Sequence, residues 1–165
     1  MKHQIQAQLL LRAKTCIWIM IVGLALSGLT AFPIETELKW LLNYADTLPT
    51  LWGQWLHNVY GAVVATNKNY PYLSYGTDWL AFAHLILALL FVGPLNNPVK
   101  NVWVIEFGII ACLLIIPLAF IAGSIRHIPV FWRVVDCMFC LLGIIPLIIC
   151  YKSIKLLQYV KVRAL

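Results

Sequence analysis

Apolar residues gather in four long runs along this chain, at 16–32, 79–95, 102–122 and 134–151. Each is about 17–21 residues, enough at roughly 1.5 Å per residue to cross a hydrocarbon core about 30 Å thick. The pattern predicts four membrane-spanning helices. The segment 33–77, between the first and second runs, is patterned differently. Leu38, Leu41, Leu42 and Ala45 recur at helical spacing, and Pro49 then interrupts. Beyond it, Leu51, Trp52, Trp55, Leu56, Val59, Tyr60, Val63 and Val64 form one apolar helical face, with Gln54, His57, Asn58 and Gly61 away from it. One or two amphipathic external helices are predicted there, lying on the bilayer surface or capping the spans. The tyrosine-rich stretch 67–76 reads as a turn-rich link, Thr77 as the N-cap of the second span, and 96–98 as a tight turn after which a helix starts near Pro98. Pro117 and Pro146 fall inside the third and fourth spans and predict kinks.

The expected fold is therefore all-α: an integral membrane four-helix bundle, a single transmembrane domain over 1–165. Composition agrees. The chain is 62% hydrophobic and 11% charged, with mean hydropathy +0.88, which leaves too little polar surface for a soluble domain of this length. The net charge of +6 raises nucleic acid as a partner, but the positions of the charges argue against it. Lys2, Arg12 and Lys14 precede the first span, and Lys152, Lys155, Lys161 and Arg163 follow the last. Such juxtamembrane clusters orient helices and meet lipid head groups. They predict a multi-pass protein of the plasma (inner) membrane with both termini cytoplasmic and the bilayer as its first partner. The turn bearing Lys100 is then inside. The segment 33–77 is outside, with Glu35, Glu37 and Asp46 set against Lys39 and Lys68. The connection 123–131 is also outside. It carries Arg126, with Arg133 just beyond, against the usual charge rule; a head-group contact, a membrane-protein partner or a homo-oligomer would account for that. The first run also resembles a cleavable signal peptide, with a basic start and small residues at Ala25 and Ser27, although its length suits a retained span.

Ionisable groups inside spans are costly unless paired or wet, so they are the best pointers to function. His84 lies about 9 Å below the outer end of the second span, and Asp136 about 9 Å below the outer end of the fourth. In the fourth span Arg133, Asp136, Cys137, Cys140 and Gly143 share one polar or small stripe; in the second, Thr77, Ala81, His84 and Ala88 do. If the stripes face each other, Asp78, His84, Arg126, His127, Arg133 and Asp136 make an outward-facing polar pocket for a ligand or partner. The same residues equally suit a structural pair that fixes helix register. Glu106 lies in the opposite half, about 7 Å from the inner boundary. It can snorkel, pair with Lys100 or Lys152, or face another subunit. The spacing of His84, His127, Asp136 and Cys137 matches no recognised metal site, and no cofactor is indicated.

Five cysteines all fall within or at the ends of spans, so no external disulfide framework exists. Cys137 and Cys140 form a C-x-x-C. In a four-span chain this resembles the quinone-coupled disulfide-forming enzymes of the vitamin K epoxide reductase type, which implies a thiol-redox pair near the outer face. Those enzymes use a second cysteine pair in an external loop, and 33–77 contains none. Three readings stand: a small binding or assembly subunit, a membrane thiol-redox enzyme, and an oligomeric transporter or proton-conducting unit using His84, Glu106 and Asp136. No motif identifies a reaction.

Overall fold

A computed structural model describes residues 2–162, and no strand occurs among them. In order come α1 (Lys2–Ala31), α2 (Ile34–Leu42), a 3-10 turn (Ala45–Thr47), α3 (Thr50–Asn69), α4 (Pro71–Leu90), α5 (Val92–Asn96), α6 (Val102–Ile125) and α7 (Val130–Val162). Four segments are long and apolar enough to cross a membrane: His3–Ala31, Pro71–Asn96, Val102–Ile125 and Val130–Val160. The protein is thus a multi-pass membrane protein of the expected all-α, four-span class, with amphipathic helices between its first and second spans. Arg163, used above to orient the chain, lies outside the described residues.

The helices outrun the apolar runs. α1 extends over 30 residues and α7 over 33, because Gln, Lys, Ala and Leu favour helix beyond the bilayer edge, where hydropathy has already fallen. The expected link at 67–76 is replaced by a single break. α3 runs to Asn69, Tyr70 departs from helical geometry, and α4 starts at Pro71. Proline suits a first helical position, where its missing N–H is not needed. Thr77 consequently lies inside α4 and caps nothing. After α5 the chain does not re-enter helix near Pro98, because asparagines hold the turn open to Val102. Asn101 Nδ2 donates to the carbonyls of Gly93 and Asn97, each at 3.0 Å, and Asn97 Oδ1 accepts from the Lys100 N–H at 3.1 Å. α6 and α7 continue unbroken through Pro117 and Pro146.

The described chain divides into two packed units. One is Gly23–Leu87. Here α2 packs on α3, burying Leu38 and Leu56. The expected apolar face of α3 is turned inward from Trp52 through Val64, except for Leu51, which is 68% exposed. α1 meets α4 at Gly28, where an added Cβ would stand 2.7 Å from the Ala81 carbonyl oxygen. Only a glycine permits that approach, the close contact by which membrane helices gain packing energy. Trp40 and Tyr44, both exposed, form an edge-to-face pair at 5.2 Å, the ring types that settle at the head-group layer.

The other unit holds the residues up to Val22 and from Ala88 onward. Its core is tight: Ala13, Ile17, Ile105, Leu147 and Ile154 are fully buried. Gly108 admits the Leu147 methyls and the Phe91 ring. The Cys150 thiol donates to the Ala13 carbonyl at 3.6 Å, tying α7 to α1. α6 and α7 form a hairpin that packs along its length.

Candidate functional site at the α6–α7 turn

α6 ends in a motif that the residue pattern did not reveal. His127 has φ 55°, the left-handed region that a histidine enters at a steric cost and glycine enters freely. With His127 there, the Ile128 N–H reaches the Gly123 carbonyl at 2.9 Å and the His127 N–H reaches the Ser124 carbonyl at 3.3 Å. This paired closure satisfies carbonyls that a helix end leaves open.

Arg133, in the first turn of α7, locks the corner. Its Nε donates to the Ile128 carbonyl at 2.7 Å and its Nη1 to the Ser124 hydroxyl at 2.8 Å. Ser124 Oγ in turn donates to the Phe120 carbonyl at 2.7 Å. The Arg133 stem lies across Gly123, where an added Cβ would stand 2.8 Å from its Cδ. Arg133 therefore serves as a turn clamp, and the signal for that role, a left-handed residue six positions earlier, is a backbone feature absent from the hydropathy pattern.

A hollow of about 300 Å³ opens beside this corner. Ile115, Leu118, Ala119, Ala122, Gly123 and Ile128 make its apolar wall, and Arg126, Arg133 and Asp136 supply its charges. Three of the six predicted pocket residues are thus brought together. Arg126 and Asp136 are exposed. Asp136 follows Arg133 by three residues on the same face, yet among the described residues it joins no hydrogen bond or ion pair; that of Lys155 with Glu106 is the ion pair found there.

The remaining predicted residues do not line this hollow. His127 is exposed at the turn. Asp78 and His84 belong to the Gly23–Leu87 unit; Asp78 is exposed and His84 half-buried. His84 Nδ1 is 2.8 Å from the Leu80 carbonyl. A carbonyl only accepts, so Nδ1 is the donor in this contact. Glu106 pairs at 3.6 Å with Lys155, not with Lys100 or Lys152. α7 stays helical beyond Tyr151 and brings the lysine one turn further on to the carboxylate, and the same ammonium lies 5.1 Å from the Tyr151 ring centre. Cys137 is buried, Cys140 is half-buried, and both are free thiols. Cys112 of α6 and Cys137 both lie near Cys140. No group of three or more His, Cys, Asp or Glu among the described residues could hold a metal ion.

Two polar features escaped the sequence reading. Asn67 donates to Glu35 and accepts from Ser74, joining α2, α3 and α4. A hollow of about 490 Å³ is lined by Thr50, Gly53, Gln54, His57 and Asn58. The polar positions of α3 off its apolar face signalled the second; nothing in the spacing signalled the first. Compared with known proteins, the chain matches no family model, no curated protein and no solved structure.

Proposed function

We propose that this protein is a small binding or assembly subunit of the plasma (inner) membrane, with both termini cytoplasmic, and that the hollow at the α6–α7 turn is its binding site on the outer face. The observation that carries this reading is Asp136: an exposed carboxylate on a membrane-spanning helix, beside two arginines and an apolar wall, with no partner among the described residues. An isolated charge within a span is costly, so such a group implies an occupant. The orientation is supported by Arg12 and Lys14 on α1 and by Lys152 and Lys155 on α7; a reporter fused after Leu165 should be active only in its cytoplasmic form.

The test is purification in mild detergent with mass spectrometry of bound lipids, small molecules and proteins, for the wild type and for Asp136→Asn with Arg126→Ala. A bound component lost from the double variant supports the site. The same complement retained by both would sink it. A thiol-redox reading uses Cys137 and Cys140, both free thiols. It requires Cys137→Ser with Cys140→Ser to abolish activity with a quinone, whereas the binding reading expects that variant to purify with the same complement as the wild type.

A further inference from the structure

Charge and shape together narrow the occupant of the α6–α7 hollow, given the binding reading above on which this step rests. We propose that the hollow seats one anionic phospholipid, with its phosphodiester on Arg126 beside Arg133 and an acyl chain along α6.

Two guanidiniums, those of Arg126 and Arg133, line the hollow against one carboxylate, that of Asp136. The excess is a single positive charge, which the single negative charge of a phosphodiester matches. Arg126 presents that charge in accessible form. It stands one residue beyond the end of α6 and is exposed. It makes no ion pair or side-chain hydrogen bond among the described residues. Arg133 directs Nε and Nη1 to Ile128 and Ser124, neutral acceptors that hold its cationic group beside the hollow without neutralising it. Asp136 lies three residues further into α7, roughly 4.5 Å along the helix, and keeps a phosphate at the arginine end. The apolar part of the hollow suits a chain. Ile115, Leu118, Ala119 and Ala122 recur at intervals of three and four on one face of α6. The row from Ile115 to Arg126 is roughly 16 Å long, and its two alanines leave room against the backbone. A soluble phosphate compound would use only the charged end and leave this row bare. A basic transmembrane helix would add positive charge where there is already an excess.

The test uses the full-length protein in mild detergent, washed free of co-purified lipid. It is titrated with phosphatidylglycerol or with phosphatidylcholine of the same chains, and bound lipid is counted by native mass spectrometry. The first phosphatidylglycerol should bind about fivefold more tightly than the first phosphatidylcholine, the effect of one arginine near an anionic head group. Arg126→Ala should bring the two lipids to parity. Arg126→Lys should keep most of the preference, since an ammonium serves a phosphate as a point charge, which guards against a folding defect in the alanine variant. Asp136→Asn should hold or raise the preference, and Lys100→Ala, at the opposite end of α6, should leave it unchanged. Ala119→Leu should weaken phosphatidylglycerol by filling the row. Equal binding of the two lipids by the wild type, a preference that survives Arg126→Ala, or one that falls with Asp136→Asn would overturn the inference. Loss of the preference on Lys100→Ala would assign the anionic lipid to the basic end and also overturn it. So would displacement of the lipid by inorganic phosphate or glycerol 3-phosphate, which would name a soluble phosphate compound as the ligand. Equal binding of the two lipids, together with a different co-purified component lost from the Asp136→Asn, Arg126→Ala double variant, would overturn this inference while leaving the binding reading in place.

Discussion

At one end of the α6–α7 hairpin, Glu106 and Lys155 meet at 3.6 Å beside a core in which Ile105, Leu147 and Ile154 are fully buried. At the other end Arg133 is taken up by the turn, Asp136 has no partner among the described residues, and a hollow of about 300 Å³ remains open. The two ends share the same helices and nearly the same residue types. They differ in whether the charge and the packing are completed within the chain. A bundle stabilised at one end can leave the other incomplete, and incompleteness in a membrane is where another molecule gains by binding.

The contrast can be broken most forcefully at the closed end. Leu147→Ala should lower stability in detergent by about 2–5 kcal/mol, the range for emptying a fully buried leucine site. Thermal unfolding followed by circular dichroism measures it, and a loss below about 1 kcal/mol would show that the closed end is not the tighter one. Arg133→Ala comes next. It removes two hydrogen bonds from a charged group and leaves the clamp over Gly123 empty, for a cost of about 1–3 kcal/mol. Arg133→Lys should recover less than half of that, since a single ammonium cannot reproduce both guanidinium directions.

The carboxylates sharpen the comparison through the sign of their effects. Glu106→Gln should destabilise by at most about 1 kcal/mol, because the pair is nearly half exposed, and the loss should shrink in high salt. Asp136→Asn should leave the isolated protein as stable or make it more so, since it removes a charge without a partner. Loss of stability on Asp136→Asn would instead mean a partner within the chain. His84 is then the group to test, by a double-mutant cycle with His84→Ala; coupling above about 0.5 kcal/mol would establish the pair. The smallest effect expected is at the turn. His127→Gly should stabilise by a few tenths of a kcal/mol to about 1 kcal/mol, because glycine holds φ 55° without a Cβ clash. Valine at that position should destabilise, and unfolding midpoints of the two variants give the order.

The spans were legible because a bilayer selects for length and hydropathy, and both are sums over a run of residues that need no knowledge of neighbours. The inward face of α3 was legible for a related reason: helical period alone decides which residues share a side. Helix ends were less so. The hydropathy of the α1 and α7 runs reports the bilayer's thickness rather than the helix's extent, and the break at Tyr70 rests on one residue's backbone angles.

By itself, then, the sequence determined the class, the number of spans and the amphipathic helices between the first two, because each follows from patterns local to one stretch of chain. It also nominated Arg126, Arg133 and Asp136. Only the tertiary structure decided what those groups do. The left-handed turn at His127 sets Arg133 as a clamp on Ile128 and Ser124, and the extended α7 selects Lys155 for Glu106. Partnership between charged side chains depends on distances of a few ångströms across separate helices, and residue spacing along one helix does not contain those distances.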